Sequence, residues 1–383
     1  MLESVEVQGV RNLSGVKVPL SSGATALFGA NGSGKTSFLE AIYLLGVGRS
    51  FRTHQSRPMI QHGAEYCRVV GRLRDQGRSL TMGIEKYRDG GAKARIQGEP
   101  VPSLSDLAQQ LPLILLETDG LGLLTGPPEG RRRLLDGTLF HVEHGFLGVW
   151  RRYAQAIRQR NAGLRRGILD GDGAWREELA RTGEQLTAAR AAIAEQLGDK
   201  LCEIAPQLSD DLQGVELAFR PGWDRRESLA AALDKSAQTD KVQGFTRMGP
   251  HRADIKLTRN GVLVSEVLSR GQMKLMFVAI KLAQGRLIET LSQRAPLYLI
   301  DDLPAELDRS HRAAVCEQLG TERQVLLTAV DRESLEAAWG GASSRIVPRG
   351  TRRDIPVLIY YLTHCLFGCT MKTVLKRQVR YGR

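Results

Sequence analysis

Gly29-Ala30-Asn31-Gly32-Ser33-Gly34-Lys35-Thr36 follows directly on Thr25-Ala26-Leu27-Phe28, an apolar run that reads as a buried strand. It precedes Phe38, Leu39, Ile42 and Leu45, which have helical spacing. The eight residues fit G-x-x-x-x-G-K-[ST] in the strand, glycine loop, helix setting that this pattern requires. Glycines let backbone N–H groups close around phosphate oxygens, and the helix N-terminus adds its positive end. Lys35 is then placed for the β- and γ-phosphates of a nucleoside triphosphate, and the Thr36 hydroxyl for a magnesium ion. An α/β fold with a phosphate loop is the expected class.

Further along, Leu297-Tyr298-Leu299-Ile300-Asp301-Asp302 runs four apolar residues into two carboxylates. This is the pattern of a buried strand that delivers Asp301 to the magnesium ion and Asp302 to the attacking water. Upstream of it, Leu268-Ser269-Arg270-Gly271-Gln272 opens a helical pattern, and Leu307-Asp308 follows Asp301 closely. Between these landmarks the character of the chain changes twice. Residues 66–101 alternate and are rich in turns, as expected of short antiparallel strands. From about residue 104 long helical patterns take over, with Phe146, Trp150, Tyr153, Ile157 and Leu164 on one face. After Asp170-Gly171-Asp172-Gly173 a second arm of ~30 residues carries Leu179, Leu186, Ile193 and Leu197. Strand patterns return at 215–219, 254–264, 297–300 and 324–330, with a helix at 272–292.

The phosphate loop, the serine-glycine pentapeptide and the carboxylate pair, in that order, resemble the ABC-type ATPase heads. The resemblance implies a mixed-sheet ATPase lobe with an inserted, mostly helical arm lobe. The expected divisions are 1–110 and 246–350 for the ATPase lobe, 111–245 for the arm, and 351–383 for an atypical apolar and basic tail. It also implies a composite site, in which ATP and Mg²⁺ held by Gly29 to Thr36 of one subunit meet Ser269, Gly271 and Gln272 of a second. Asp301 would share the metal with Thr36, and Asp302 would act as the general base with Lys35 beside it.

The likeness extends to Arg11-Asn12, Gly48-Arg49-Ser50-Phe51-Arg52-Thr53, Arg131-Arg132-Arg133-Leu134-Leu135-Asp136, Arg158-Gln159-Arg160-Asn161 and Gly249-Pro250-His251-Arg252-Ala253-Asp254. On these stretches the chain, from residue 1 to about 354, is similar to the RecF family of bacterial DNA replication and repair proteins. That likeness implies Arg11 and Asn12 at the nucleotide and a homodimer closed by ATP. It further implies slow hydrolysis stimulated by DNA, a role in the SOS response, and work with RecO and RecR in loading a recombinase at gaps. A transporter motor and a chromosome-organising SMC-type head are the competing classes. Against the first, Thr328-Ala329-Val330 lacks the histidine of transporter heads; against the second, no long heptad run exists.

Charge agrees with an anionic partner. The chain of 383 residues carries 54 Lys and Arg against 42 Asp and Glu, a net +12. Nine arginines fall between Arg131 and Arg166 against Asp136 and Glu143, so Arg131, Arg132, Arg133, Arg151, Arg152, Arg158 and Arg160 are the expected DNA contacts. The apolar stretch from Ile355 to Cys369 is short of the ~20 residues that span a bilayer and reads as an unstructured extension. Five dispersed cysteines exclude a disulfide framework, and the N-terminus does not read as a signal peptide, so a cytoplasmic, membrane-free protein is expected.

Overall fold

A computed structural model describes residues 1–75, 77–117, 120–168, 171–302, 307–329 and 358–362. The chain divides into two units, residues 1–118 with 295–383, and residues 119–294. The first unit begins with β1 (Leu2–Val10), β2 (Leu13–Pro19), β3 (Ala24–Phe28), α1 (Lys35–Val47), β4 (Tyr66–Asp75), β5 (Arg78–Tyr87), β6 (Ala92–Ile96), β7 (Glu99–Pro100), α2 (Leu104–Gln110) and β8 (Leu113–Leu116). The second contains α3 (Gly122–Thr125), α4 (Pro128–Val142), α5 (Phe146–Arg166), α6 (Asp172–Leu208), β9 (Val215–Arg220), α7 (Leu229–Gln243), β10 (Asp254–Arg259), β11 (Val262–Leu263), α8 (Val264–Val267) and α9 (Arg270–Ser292). The chain then returns to the first unit with β12 (Leu297–Ile300), α10 (Arg309–Leu319), β13 (Val325–Ala329) and β14 (Leu358–Leu362).

Two sheets enclose α1 in the first unit. One is antiparallel, ordered β2-β1-β4-β5-β6-β7; the other is ordered β14-β3-β13-β12-β8. In the second sheet β3, β13, β12 and β8 run parallel, and their apolar sequences suit strands covered on both faces. The antiparallel strands alternate instead: Cys67, Val69 and Leu73 of β4 are buried, while Tyr66, Arg68 and Arg72 point away from the core. Because α1 packs on β1, β4 and β5 of one sheet and on β8 and β13 of the other, it is apolar nearly all round, with Phe38, Leu39, Ile42, Leu44 and Leu45 buried.

The apolar tail forms structure where it was expected to form none. Leu358–Leu362 pairs antiparallel with β3, Ile359 opposite Leu27, and so adds an edge to the parallel sheet. The other tail residues, including Cys365 and Cys369, lie outside the described residues.

In the second unit α5 and α6 pack as a helical hairpin, and α6 reaches 37 residues, about 55 Å at the usual rise. The three-stranded sheet β11-β10-β9 and helices α4, α7 and α9 pack around it. Compared with the expected arm of 111–245, this unit starts later and extends to residue 294. The reason is α9, whose buried face, Leu275, Val278, Leu282 and Leu287 among others, packs on α6 and α4. Among the described residues no helix is long and apolar enough to cross a membrane.

Candidate nucleotide-binding site

The phosphate loop joins the C-terminal end of β3 to α1, at the edge where a parallel sheet places its ligands. Gly34, the residue before α1, has φ 96°, and a Cβ there would lie 2.8 Å from Leu13 Cδ2, so glycine alone fits. Lys35 Nζ donates to the carbonyls of Gly29 at 2.6 Å and Ala30 at 3.1 Å, which draws its ammonium back over the loop. Ser33 Oγ is buried with no hydrogen-bond partner, and α1 has no acidic residue in its first turn. An orphaned hydroxyl two residues from a lysine ammonium, on a helix whose own first turn carries no acidic residue, fits a nucleotide's phosphates.

Thr36 and Asp301 come together although the sequence separates them widely. The Thr36 hydroxyl donates to Asp301 Oδ1 at 3.0 Å. Thr328, at the end of β13, links both carboxylate-bearing residues: its hydroxyl donates to Asp301 Oδ1 at 2.8 Å and accepts from the Asp302 N–H at 2.9 Å. Asp302 has φ 53°, a left-handed turn that Asp tolerates and that ends β12 sharply. Among the described residues no group of three His, Cys, Asp or Glu could hold a metal. The Thr36 and Asp301 oxygens do fit magnesium, which takes one or two protein oxygens and completes its shell with phosphate and water.

Arg11 and Asn12 brace the loop from the β1–β2 turn. Asn12 Nδ2 donates to the Gly32 carbonyl at 2.9 Å, and Ser37 Oγ donates to Asn12 Oδ1 at 2.9 Å. Arg11, at φ 53°, is locked by a bidentate pair to Glu40, with both contacts at 2.9 Å. Glu40 is fully buried on α1 and also accepts from the Ser50 hydroxyl. Ser50 in turn accepts from the Arg52 and Thr53 N–H groups, so the Gly48 to Thr53 stretch is tied to the same carboxylate. Sequence reasoning missed Glu40, Ser37 and Thr328. The signal that could have found Glu40 is a carboxylate inside an otherwise apolar helix, which needs a cationic partner.

Ser269, Gly271 and Gln272 lie in the second unit, at the start of α9. Ser269 and Gln272 form a capping box, with Gln272 N donating to Ser269 Oγ at 3.3 Å and Ser269 N to Gln272 Oε1 at 2.9 Å. Gln272 Nε2 also donates to Asp211 Oδ2 at 2.8 Å. Ser269 and Gly271 are exposed, and a Cβ on Gly271 would meet nothing within 4 Å.

The arginines separate into two populations. Arg160 is not available to a ligand: its side chain is 1% exposed and bonds Asp172, Asp240 and Thr246. Arg131 is likewise consumed, by a bidentate pair to Asp254 and by the Leu123 and Gly126 carbonyls. Half-buried Arg132 donates to the Ala253 carbonyl, and exposed Arg133 pairs with Glu129 one turn away. Arg131 and Arg132, with Arg190 on Asp136 and the Pro250 carbonyl, fasten the Gly249 to Asp254 stretch. Within that stretch Tyr153 OH lies 2.7 Å from His251 Nδ1, and His251 Nε2 lies 2.9 Å from the Thr246 carbonyl. A carbonyl only accepts, so Nε2 carries the proton and Nδ1 accepts from the tyrosine. Burial pushes the His251 imidazole down to about 4, against the pull of the Thr246 bond and with help from Arg252 and Arg132.

Arg151, Arg152 and Arg158 are exposed on α5, together with Arg165 and Arg166, which lie outside the set expected from sequence. At 100° per residue these five share one face, and α5 contains no acidic residue.

The family described as RecF/RecN/SMC N terminal domain matches residues 1–349. A protein named DNA replication and repair protein RecF from Stutzerimonas stutzeri (strain A1501) is 42% identical over 346 residues, covering 88% of this chain and 92% of the relative. Its namesake from Pseudomonas aeruginosa (strain LESB58) is 40% identical over 369 residues, covering 95% and 96%. Among solved structures, the recombination mediator protein RecF with ATP in the RecFOR pathway superposes with TM-score 0.79 at 23% identity, over 86% of this chain and 92% of that one. The Smc head bound to the C-winged helix domain of ScpA gives TM-score 0.53 at 19% identity, over 88% and 92%. These last two likenesses concern the fold.

Proposed function

The chain belongs to the RecF family within the RecF/RecN/SMC class, and from that premise we propose that it is an ATP-switched DNA-binding protein of replication and recombinational repair. The observation that carries the reading is the meeting of Thr36 with Asp301 beside a phosphate loop whose Ser33 hydroxyl is orphaned. Lys35 and the N-terminus of α1 hold the triphosphate, and Thr36 with Asp301 holds Mg²⁺, which when bound offsets charge between the phosphates. Asp302 positions and deprotonates the attacking water, while Arg11 and Asn12 keep the loop in shape. Ser269, Gly271 and Gln272 meet the γ-phosphate of a second copy, so ATP closes a homodimer and hydrolysis opens it.

DNA lies against Arg151, Arg152, Arg158, Arg165 and Arg166 of α5. From Arg151 to Arg166 this face runs about 22 Å, long enough to follow several phosphates of a duplex. Binding of DNA raises a slow ATPase rate, so hydrolysis acts as a timer. In the cytoplasm the closed dimer works with RecO and RecR to load a recombinase at gaps, in recombinational repair, replication maintenance and the SOS response. The pathway assignment rests on the names of its relatives and on a fold shared with a RecFOR-pathway protein.

The test is sizing in solution with a slowly hydrolysed ATP analogue and gapped DNA, on wild type, Lys35→Ala and Ser269→Arg. Wild type should dimerise. Lys35→Ala should lose nucleotide binding and dimerisation together, whereas Ser269→Arg should bind nucleotide and stay monomeric. Dimers of Ser269→Arg would exclude the composite site.

A further inference from the structure

The outer face of the antiparallel sheet in the first unit carries a groove of about 400 Å³. Strand register arranges its side chains in rows. Tyr66 stands opposite Tyr87; Arg68 opposite Glu85, which faces Lys93; and Val70 opposite Gly83, which faces Arg95. Gly83 leaves the centre of the floor bare, with Val70 as its nearest side chain. Around that small apolar floor stand Arg68, Lys93 and Arg95, with Arg72 in the next row. Two carboxylates share these rows: Glu85 accepts a hydrogen bond from Tyr87 OH at 2.8 Å, and exposed Glu6 of β1, opposite Val70, pairs with Lys17 at 3.9 Å. At the end of the rows the rings of Tyr66 and Tyr87 lie 5.8 Å apart, and Lys93 sits 5.1 Å from the centre of the Tyr87 ring. Tyr66 is 37% exposed.

We propose that this face binds a single strand of DNA. Phosphates meet Arg68, Lys93 and Arg95, while bases stack on Tyr66, backed by Tyr87, and lie over the Gly83 and Val70 floor. The spacing suits an extended strand, since alternate residues along a β-strand stand about 6.8 Å apart, close to the repeat of a stretched nucleotide backbone. Cations that track a backbone, interleaved with aromatic rings that take bases of any identity, are the two components of single-strand recognition. A duplex keeps its base faces against one another, so the rings and the bare floor would receive nothing from it. This surface goes beyond the function proposed above. It uses neither the phosphate loop nor α5, and it gives a gap's unpaired strand a site separate from its duplex.

The test uses the full chain and fluorescence anisotropy at low salt, with labelled oligo(dT) of about a dozen nucleotides and a hairpin duplex of similar length. Arg68→Glu combined with Arg95→Glu should weaken oligo(dT) binding at least ~10-fold and leave the duplex unchanged. Tyr66→Ala should weaken oligo(dT) roughly 5- to 150-fold, with Tyr66→Phe as wild type. Ultraviolet cross-linking to thymine should map to the peptide containing Tyr66. Parallel loss of both DNAs would make the face a seat for duplex phosphates and overturn the proposal, as would unchanged oligo(dT) binding in the arginine or the alanine variant. Arg152→Gln with Arg158→Gln, measured beside them, reports on the α5 surface, so either reading can fail alone.

Discussion

Asp301 Oδ1 accepts hydrogen bonds from both Thr36 and Thr328, at 3.0 and 2.8 Å. The first donor belongs to the helix after β3 and the second to β13, so one carboxylate oxygen ties the phosphate loop to two strands of the parallel sheet. Its neighbour Asp302, turned left-handed, is held by the same Thr328 hydroxyl through its backbone N–H.

The two aspartates should therefore fail differently. Asp302→Asn should leave nucleotide binding largely intact, trap the closed dimer on DNA, and lower turnover at least ~100-fold, the low end for losing a positioned base. Asp301→Asn should weaken binding in magnesium but change magnesium-free binding little. Turnover and DNA retention measured on both variants decide it, and wild-type turnover in Asp302→Asn would remove that residue as the base.

Glu40→Gln should destabilise the first unit by about 3 kcal/mol, because it leaves the Arg11 guanidinium, 21% exposed, without its carboxylate. Nucleotide affinity should fall as well, since Arg11 precedes the asparagine that braces Gly32. Urea unfolding and nucleotide titration of the same sample check both effects.

Arg158→Gln and Arg160→Gln differ by two positions and should behave as opposites. Loss of exposed Arg158 should leave stability within about 0.5 kcal/mol and flatten the salt dependence of DNA binding by about 0.9 in the log-log slope. Loss of Arg160 should cost about 3 kcal/mol or more, because buried Asp240 is left without its guanidinium. Unfolding midpoints beside salt titrations separate the two.

Acid should loosen the second unit through His251. The unfolded imidazole takes up its proton near pH 6.5, but the folded one, held down chiefly by burial, does so only at about 4. His251 thus leaves stability at its full value above pH 6.5 and removes up to ~1.4 kcal/mol per pH unit as pH falls from 6.5 to 4. His141, which burial and Arg294 also hold at about 4, acts in the same window. Thermal unfolding at pH 7.5, 6 and 5 should show the loss, and His251→Gln should remove only the part due to His251.

The phosphate loop and its flanking elements were legible because the information is local, with eight consecutive residues and the periodicity on either side. Asp301 was legible for a similar reason, since an apolar run that ends in a carboxylate points to a strand's C-terminal edge. Glu40 and Thr328 were not, because their meaning depends on partners that only the folded chain brings near. The arginines show the limit most clearly. Composition counts Arg158 and Arg160 alike, yet two residues turn a helix by about 200° and send one to solvent and the other into the interior. The two units differ from the expected lobe boundary for the same kind of reason, because the buried face of α9 does not state which layer it will pack on.

The pairing of β3 with β13 also constrains how the protein is made. At about 5 to 20 residues per second, the roughly 300 residues between Phe28 and Val325 leave β3 without its parallel neighbour for about 15 to 60 s of synthesis. The second unit is contiguous in sequence and is translated completely during that interval. The nascent first unit must therefore carry Ala24–Phe28, a strand buried at every position in the finished protein, past the ribosome unpaired. That segment is a predictable client for a holding chaperone, and the insertion that supplies α5 is also the source of the delay.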